Sequence, residues 1–362
     1  MKATIKFVVA LLPFAMAIPI IANAQENFPR TALGKPDFNG NYDISSLTPY
    51  QRPTRYGNRL VLTEEEVQAM REREMTARER GSEQSDPDRS APEEGGNIGS
   101  YNDFWFDEGT SVTTDRTSLV VDPPNGRTPP RTAAAEAAAA ELSRVRSGVS
   151  SHEPTPGGWV EDLGPGGLQV RCILGFNSGP PMTPSAYNNN VQVFQTEDTV
   201  VLLAEMNHEA RVVPLTSEDY APDAVRMWTG DSRGRWDGDT LVVEVSELIE
   251  QTWLDRSGNF HSAGMTVTER YTPITPYHIE YEATITDPDT FTEPWTIALP
   301  LYKRMEEHAQ VLEYRCVEMV EELIYGHLRK EQLVSHWEGD YGRRGGTLVI
   351  DVRREPTSEP DL

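Results

Sequence analysis

Residues 187–245 read YNNNVQVFQTEDTVVLLAEMNHEARVVPLTSEDYAPDAVRMWTGDSRGRWDGDTLVVEV. Val191–Gln195, Thr199–Met206, Ala210–Leu215 and Thr240–Val245 are short runs rich in β-branched residues. The first two are separated by the turn TEDT, a spacing that predicts antiparallel hairpins. Downstream the pattern continues in Met265–Thr272, His278–Thr286, Pro294–Lys303 and Val311–Cys316. Ile279, Tyr281, Ala283 and Ile285 fall on one strand face, with His278, Glu280, Glu282 and Thr284 on the other. Trp295, Ile297, Leu299 and Leu301 repeat that alternation. Period two in consecutive strands implies an antiparallel meander with one wet face. So many strands lose their exposed edges only by rolling up. The expected fold is therefore mainly β: a meander closed into a lipocalin-like barrel of eight to ten strands, whose lumen takes one small molecule.

Upstream, Asn41–Ser45 is a short strand, and Gly40 stands two positions before Tyr42, near the G-x-W opening of lipocalin-like barrels. Tyr101–Glu108 and Arg116–Asp122 read as two more strands. Thr63 with Glu66 makes a capping box and opens a helix over 63–80. An alanine-rich helix spans 132–147, and a third is expected over Met319–Glu331. The stretches 82–99 and 147–167 are long Gly/Pro-rich loops. Beyond 335 the tail is polar apart from TLVIDV, a possible extra edge strand. This gives one domain over 25–334 followed by a tail over 335–362.

The first 24 residues have the form of a secretory signal: Lys2 and Lys6, then an apolar run, then Ala22-Asn23-Ala24. No later stretch is apolar and long enough to span a bilayer. A periplasmic or secreted protein is expected. Its formal charge of −24 repels phosphate backbones, so nucleic acid is excluded as a partner. The two cysteines, Cys172 and Cys316, are expected to form a disulfide in an oxidising compartment. Closing so long a loop contributes about 4–5 kcal/mol in the chain-entropy view. The composition is silent on oligomeric state.

Chemistry is sought among a few residues. Glu269 shares the apolar face of Met265, Val267 and Tyr271. A carboxylate pointing into an apolar lumen is costly unless paired, and suits acid/base work if left to titrate. An internal ion pair with an arginine is the other reading. His208 lies at a strand end and titrates near neutrality; a bend near Met206–Asn207 would be needed to aim both it and Glu205 inward. Asp231, Arg233 and Arg235 surround Trp236 in GDSRGRWDGD, either as staples of a hairpin turn or as a clamp for negative charge. Tyr187, Asn188, Asn189 and Asn190 either build a turn or present amides to a ligand. Arg171 flanks Cys172, and Trp105 and Trp228 are candidates for the mouth. The EF-hand spacing is absent, as are GxSxG, P-loop, HExxH and dinucleotide fingerprints, so neither a metal nor an organic cofactor is expected.

YNDFW, TSLVVDPPNGR, YNNNVQ, EMNHEARVVPL, GDSRGRWDGDTLVV and TERYT together resemble a family of uncharacterised secreted proteins of environmental Gram-negative bacteria, over roughly 35–323. The resemblance implies compartment and architecture, not an activity. The functional expectation is a cofactor-free periplasmic lyase, isomerase or hydrolase acting on a small, partly apolar molecule in the barrel. His208 and Glu269 would exchange protons, Arg233 or Arg235 would hold developing charge, and Asp231, Glu205 and the asparagines would support the site. The alternative is a lipocalin-like protein that binds a small molecule without turnover.

Overall fold

The computed structural model describes residues 28–83, 88, 90, 106, 108–113, 116–146, 168, 171–216, 222, 225–252, 254–255, 259–317, 334–338 and 347–351. In chain order its elements are β1 (Gly40–Asp43), α1 (Glu64–Gly81), β2 (Val120–Asp122), α2 (Ala133–Arg146), β3 (Asn190–Gln195), β4 (Thr199–Ala204), β5 (Ala210–Pro214), β6 (Asp231–Asp237), β7 (Thr240–Ser246), β8 (Thr266–Thr275), β9 (His278–Thr286), β10 (Trp295–Lys303), β11 (Val334–Glu338) and β12 (Thr347–Asp351). Ten antiparallel strands form one nearly closed barrel, and α1 and α2 are the only α-helices among the described residues.

The order β5-β4-β3-β1-β10-β9-β8-β7-β6 runs round the barrel in sequence, with β1 bringing the first strand against the last. β1 pairs Tyr42 with Lys303, while β2 occupies the same edge of β10 further along, pairing Thr296 with Asp122. Pro300 has no N–H to donate and sits between the stretches that β2 and β1 cover. The ladder is open only between β5 and β6. There the two strands meet by packing: a Cβ on Gly234 would lie 2.6 Å from Leu215 Cδ2 and 2.8 Å from Val213 Cγ1.

Alternation decides the core. Val200 and Leu202, Leu241 and Val243, Ile279 and Ala283, and Ile297 and Leu299 all point inward and are buried. Each of the buried valines, leucines and isoleucines contributes roughly 1.5–3 kcal/mol of hydrophobic stabilisation. Phe291 and Tyr50 stand edge-on to the fully buried Trp295, with ring centroids at 5.5 and 6.4 Å. Thr63 and Glu66 cap α1 reciprocally, and Thr132 Oγ1 accepts the N–H of Ala135 at the start of α2. The disulfide Cys172–Cys316 joins segments 144 residues apart.

Several sequence expectations are corrected. GDSRGRWDGD is mostly strand: β6 covers Asp231–Asp237, and only the Asp-Gly step with Gly238 at φ 62° makes the turn. Val311–Cys316 is not a strand, because β1 and β2 already take the free edge of β10. Of Arg116–Asp122 only the last three residues pair, and Phe106 and Glu108 are not in a strand. TLVID is a strand, but its partner is the neighbouring β11 in a separate two-stranded sheet. The expected leader, the helix over 319–331 and most of the loops 82–99 and 147–167 lie outside the described residues. No helix among the described residues is long and apolar enough to cross a membrane.

The packed seam gives a first test. Gly234→Val should lower stability by about 1–3 kcal/mol, since the added atoms overpack the junction with Leu215 and Val213. Urea unfolding followed by tryptophan fluorescence measures it, and an unchanged midpoint would show that the seam yields freely.

Candidate functional site

Glu269 points into the barrel and is fully buried, and it meets Arg211 from β5 across the interior. The guanidinium grips the carboxylate with two bonds, Nη1 to Oε2 at 2.6 Å and Nη2 to Oε1 at 2.9 Å. Tyr281 Oη donates to Oε1 at 2.6 Å, and Arg211 Nη2 also donates to Tyr271 Oη at 3.2 Å. Burial opposes the charge on Arg211, but Glu269 and then Tyr271 outweigh it and raise its pKa. Burial first, and Glu269 second, push both phenols well above the ordinary tyrosine value. Arg211 therefore stays a guanidinium and Tyr271 and Tyr281 stay phenols at neutral pH. With aliphatic and aromatic neighbours closed around them, they fill the lumen and brace it.

The expected pairing of Glu269 with His208 is not formed. β4 ends at Ala204, and a tight turn over Met206–His208, left-handed at Asn207 and His208, carries the histidine outward. His208 is exposed, and its Nε2 accepts the N–H of Tyr314 at 2.8 Å. Asp231, Arg233 and Arg235 lie on the outer face of β6, where Arg233 pairs with Asp231 at 2.9 Å and Arg235 with Glu244 at 3.4 Å. They staple the hairpin and do not reach the lumen, which Ser232, Gly234 and Trp236 face instead.

The asparagine run has a structural use that parity alone did not reveal. Asn188 Nδ2 and Asn190 Nδ2 donate to the two oxygens of the buried Glu205, at 2.6 and 2.5 Å. Asn189 clamps Ser185 from both sides, accepting its N–H at 2.7 Å and donating to its carbonyl at 2.8 Å. Tyr187 is half-buried with its ring 6.3 Å from Phe106. Trp228 packs on Leu168 and Leu174, and Arg171 is half-buried beside the disulfide. Trp105 lies outside the described residues.

Ser185 belongs to a loop that lines a pocket of about 340 Å³ at the barrel's end, with Ser46, Thr48, Tyr50, Glu108, Leu119, Thr183, Pro184 and Asp255. The interior network holds this loop, because the Met182 N–H donates to Tyr281 Oη at 3.0 Å. Tyr50 is set by backbone pairing with Val120. Its hydroxyl is enclosed and faces the Asp255 carboxylate. Burial, then the nearby Asp255 charge, raises its pKa well above the usual value, so it remains a phenol. Asp255 is buried and accepts two bonds from Asn259, at 3.2 and 2.6 Å. Ser185 Oγ is enclosed and has no hydrogen-bond partner among the described residues. The lining thus offers hydroxyl donors beside carboxylate acceptors. No group of metal-ligating side chains occurs among the described residues.

Sequence reasoning did not find Tyr50, Ser185 or Asp255. Each sits in irregular chain, where no periodicity says which residues will meet. A second buried pair was also missed: Thr252 Oγ1 contacts His261 Nε2, while His261 Nδ1 donates to the Ser262 carbonyl at 2.9 Å. Burial lowers the His261 pKa below 6.5.

Compared with protein-family models, curated proteins and solved structures, the chain finds no match, so its fold and site rest on their own geometry.

Two tests follow from these buried groups. Glu269→Gln strands the Arg211 charge and should cost about 3–5 kcal/mol in urea unfolding, while the double change Glu269→Leu with Arg211→Met should cost clearly less. A double variant no more stable than the single would show that the charge itself is not what matters. His261 is neutral when folded, so unfolding takes up a proton below pH 6.5 and stability falls as pH drops from 6.5 toward the lowered folded value. His261→Gln should flatten that part of the Tm-versus-pH curve, whereas carboxylate effects at lower pH persist in both proteins.

Proposed function

We propose that this is an exported protein that binds a small, hydroxyl-rich molecule at the end of its barrel, between the Tyr50 and Ser185 segments and Asp255. The observation that carries this reading is the 340 Å³ pocket, where the buried Asp255 and the Tyr50 phenol stand beside serine and threonine hydroxyls. That volume lies within the roughly 300–1,000 Å³ of small-molecule sites. The Cys172–Cys316 disulfide supports an oxidising compartment, in keeping with periplasmic or secreted placement after removal of residues 1–24.

Binding without turnover is favoured over catalysis in the lumen, because the lumen is filled and His208 is turned away from Glu269. A cofactor-free acid/base reaction, as in a lyase, isomerase or hydrolase, keeps one supporting feature. A phenol held protonated beside a carboxylate is suited to proton transfer through a bound substrate.

Calorimetric titration with a panel of sugars and polyols tests the proposal. Tyr50→Phe and Asp255→Asn should each weaken the best ligand about tenfold or more while leaving the fold intact by circular dichroism. A ligand that binds both variants as tightly as the parent would remove this pocket as the site. Loss of product formation in Tyr50→Phe with binding retained would turn the reading from binder to enzyme.

A further inference from the structure

Beneath the turn that follows β2 lies a second polar arrangement, built from none of the residues that line the pocket above. In a chain of net charge −24, the stretch 51–59 reads QRPTRYGNR and holds arginines but no acid. Glu66 answers Arg59. Arg52 has no such answer among the described residues, although it is only 4% exposed. Its Nε donates to Thr117 Oγ1 at 2.8 Å and its Nη1 to the Pro124 carbonyl at 2.9 Å, both neutral acceptors. The N–H bonds of its Nη2 find no acceptor among the described residues.

Backbone bonds hold the turn down on this guanidinium. The Arg52 N–H donates to the Gly126 carbonyl at 2.7 Å, and the Gly126 N–H closes the turn on the Pro123 carbonyl at 2.9 Å. Gly126 has φ 70°, and a Cβ there would lie 2.9 Å from both Cζ and Nη2 of Arg52, so only glycine lets the chain pass. The next residue is Arg127, half-buried. Its N–H is taken by Asn125 Oδ1 at 2.9 Å, while its guanidinium has no partner among the described residues. Asp122, the only acid between residues 117 and 130, is exposed and pairs with neither arginine. Burial first, and the Arg127 charge second, push the Arg52 pKa down. Arginine nevertheless keeps its proton in proteins, so two like charges share one poorly hydrated corner.

We propose that Arg52 and Arg127 together bind a small tetrahedral oxyanion: a phosphate or sulfate dianion, free or as the head of a monoester. Planar guanidinium forks match the oxygens of such an anion, and a dianion cancels both charges at once. Thr117 and Pro124 hold the Arg52 fork in place and leave Nη2 to the ligand. Arg127 supplies the second fork from the turn above. The acidity of the whole chain repels anions at long range, so only a local pair of this kind can retain one.

Calorimetric titration of the whole protein with phosphate and with sulfate, at pH 8 and at ionic strength fixed with chloride, tests the inference. Both should bind, and Arg127→Gln should weaken both about tenfold or more. Millimolar sulfate, well below the concentrations at which it acts by exclusion from the surface, should raise the Tm of the parent and not of Arg127→Gln. Without added oxyanion, Arg127→Gln should melt no lower than the parent, because it removes a repelled charge. Arg52→Lys keeps the charge but loses the fork, and should also weaken sulfate about tenfold. Since Arg52 is buried, circular dichroism checks that variant, and Arg127→Gln decides the matter if Arg52→Lys does not fold. Glycerol 1-phosphate binding more tightly than phosphate would mark the ligand as a monoester, and the reverse as the free anion. Absence of binding at millimolar phosphate and sulfate, Arg127→Gln binding both as the parent does, or a sulfate-induced rise in Tm that persists in Arg127→Gln would each overturn the proposal. The sugar and polyol titration of the barrel-end pocket should be unchanged in Arg127→Gln, so the two sites stand or fall separately.

Discussion

A charge pair sealed inside an otherwise apolar barrel sets the terms for the rest of this structure. Arg211 and Glu269 are taken out of water together, and their attraction repays that loss only because the guanidinium fork meets the carboxylate squarely. They come from β5 and β8, so the pair ties the strand at the open seam to the opposite wall. The seam itself has no hydrogen-bonded ladder, and only apolar packing around Gly234 joins β5 to β6. An ion pair that fixes where β5 lies supplies the register that backbone bonds would otherwise provide.

That interior brace reaches the surface through tyrosine. Tyr281 Oη donates inward to Glu269 and accepts from the Met182 N–H, so a core residue fixes the height of the 182–185 loop. Asn189 then grips the other end of the loop through both polar atoms of its amide. The barrel-end pocket is therefore built on a rigid support, although its own residues belong to irregular chain. A filled barrel and a usable cavity are compatible here because the cavity lies outside the closed sheet.

Acidity has a comparable division. The chain is strongly negative overall, yet among the described residues each buried carboxylate is answered locally: Glu269 by Arg211, Glu205 by two asparagine amides, Asp231 by Arg233, Asp255 by Asn259 and Asp287 by Ser262. Burying such groups without partners would cost more than the fold can spare. These local answers explain how so acidic a chain keeps carboxylates in its interior.

Much of the architecture was legible in the alternation of residues. Strands β3 to β5 and β7 to β10, the capped helices and the disulfide all follow from local pattern and composition, because side-chain parity and capping depend only on near neighbours. The inward direction of Glu269 was readable for the same reason. What parity cannot supply is the partner. Arg211 meets Glu269 only once the sheet has closed, and His208 leaves the wall only because the chain turns left-handed at Asn207 and His208, with φ of 59° and 53°. β6 escaped notice because its glycine, aspartates and arginines have little strand preference, and it is a strand through pairing with β7. The pocket around Tyr50, Ser185 and Asp255 was beyond reach for a related reason: its residues come from separate irregular segments, and nothing but the folded barrel brings them to one place.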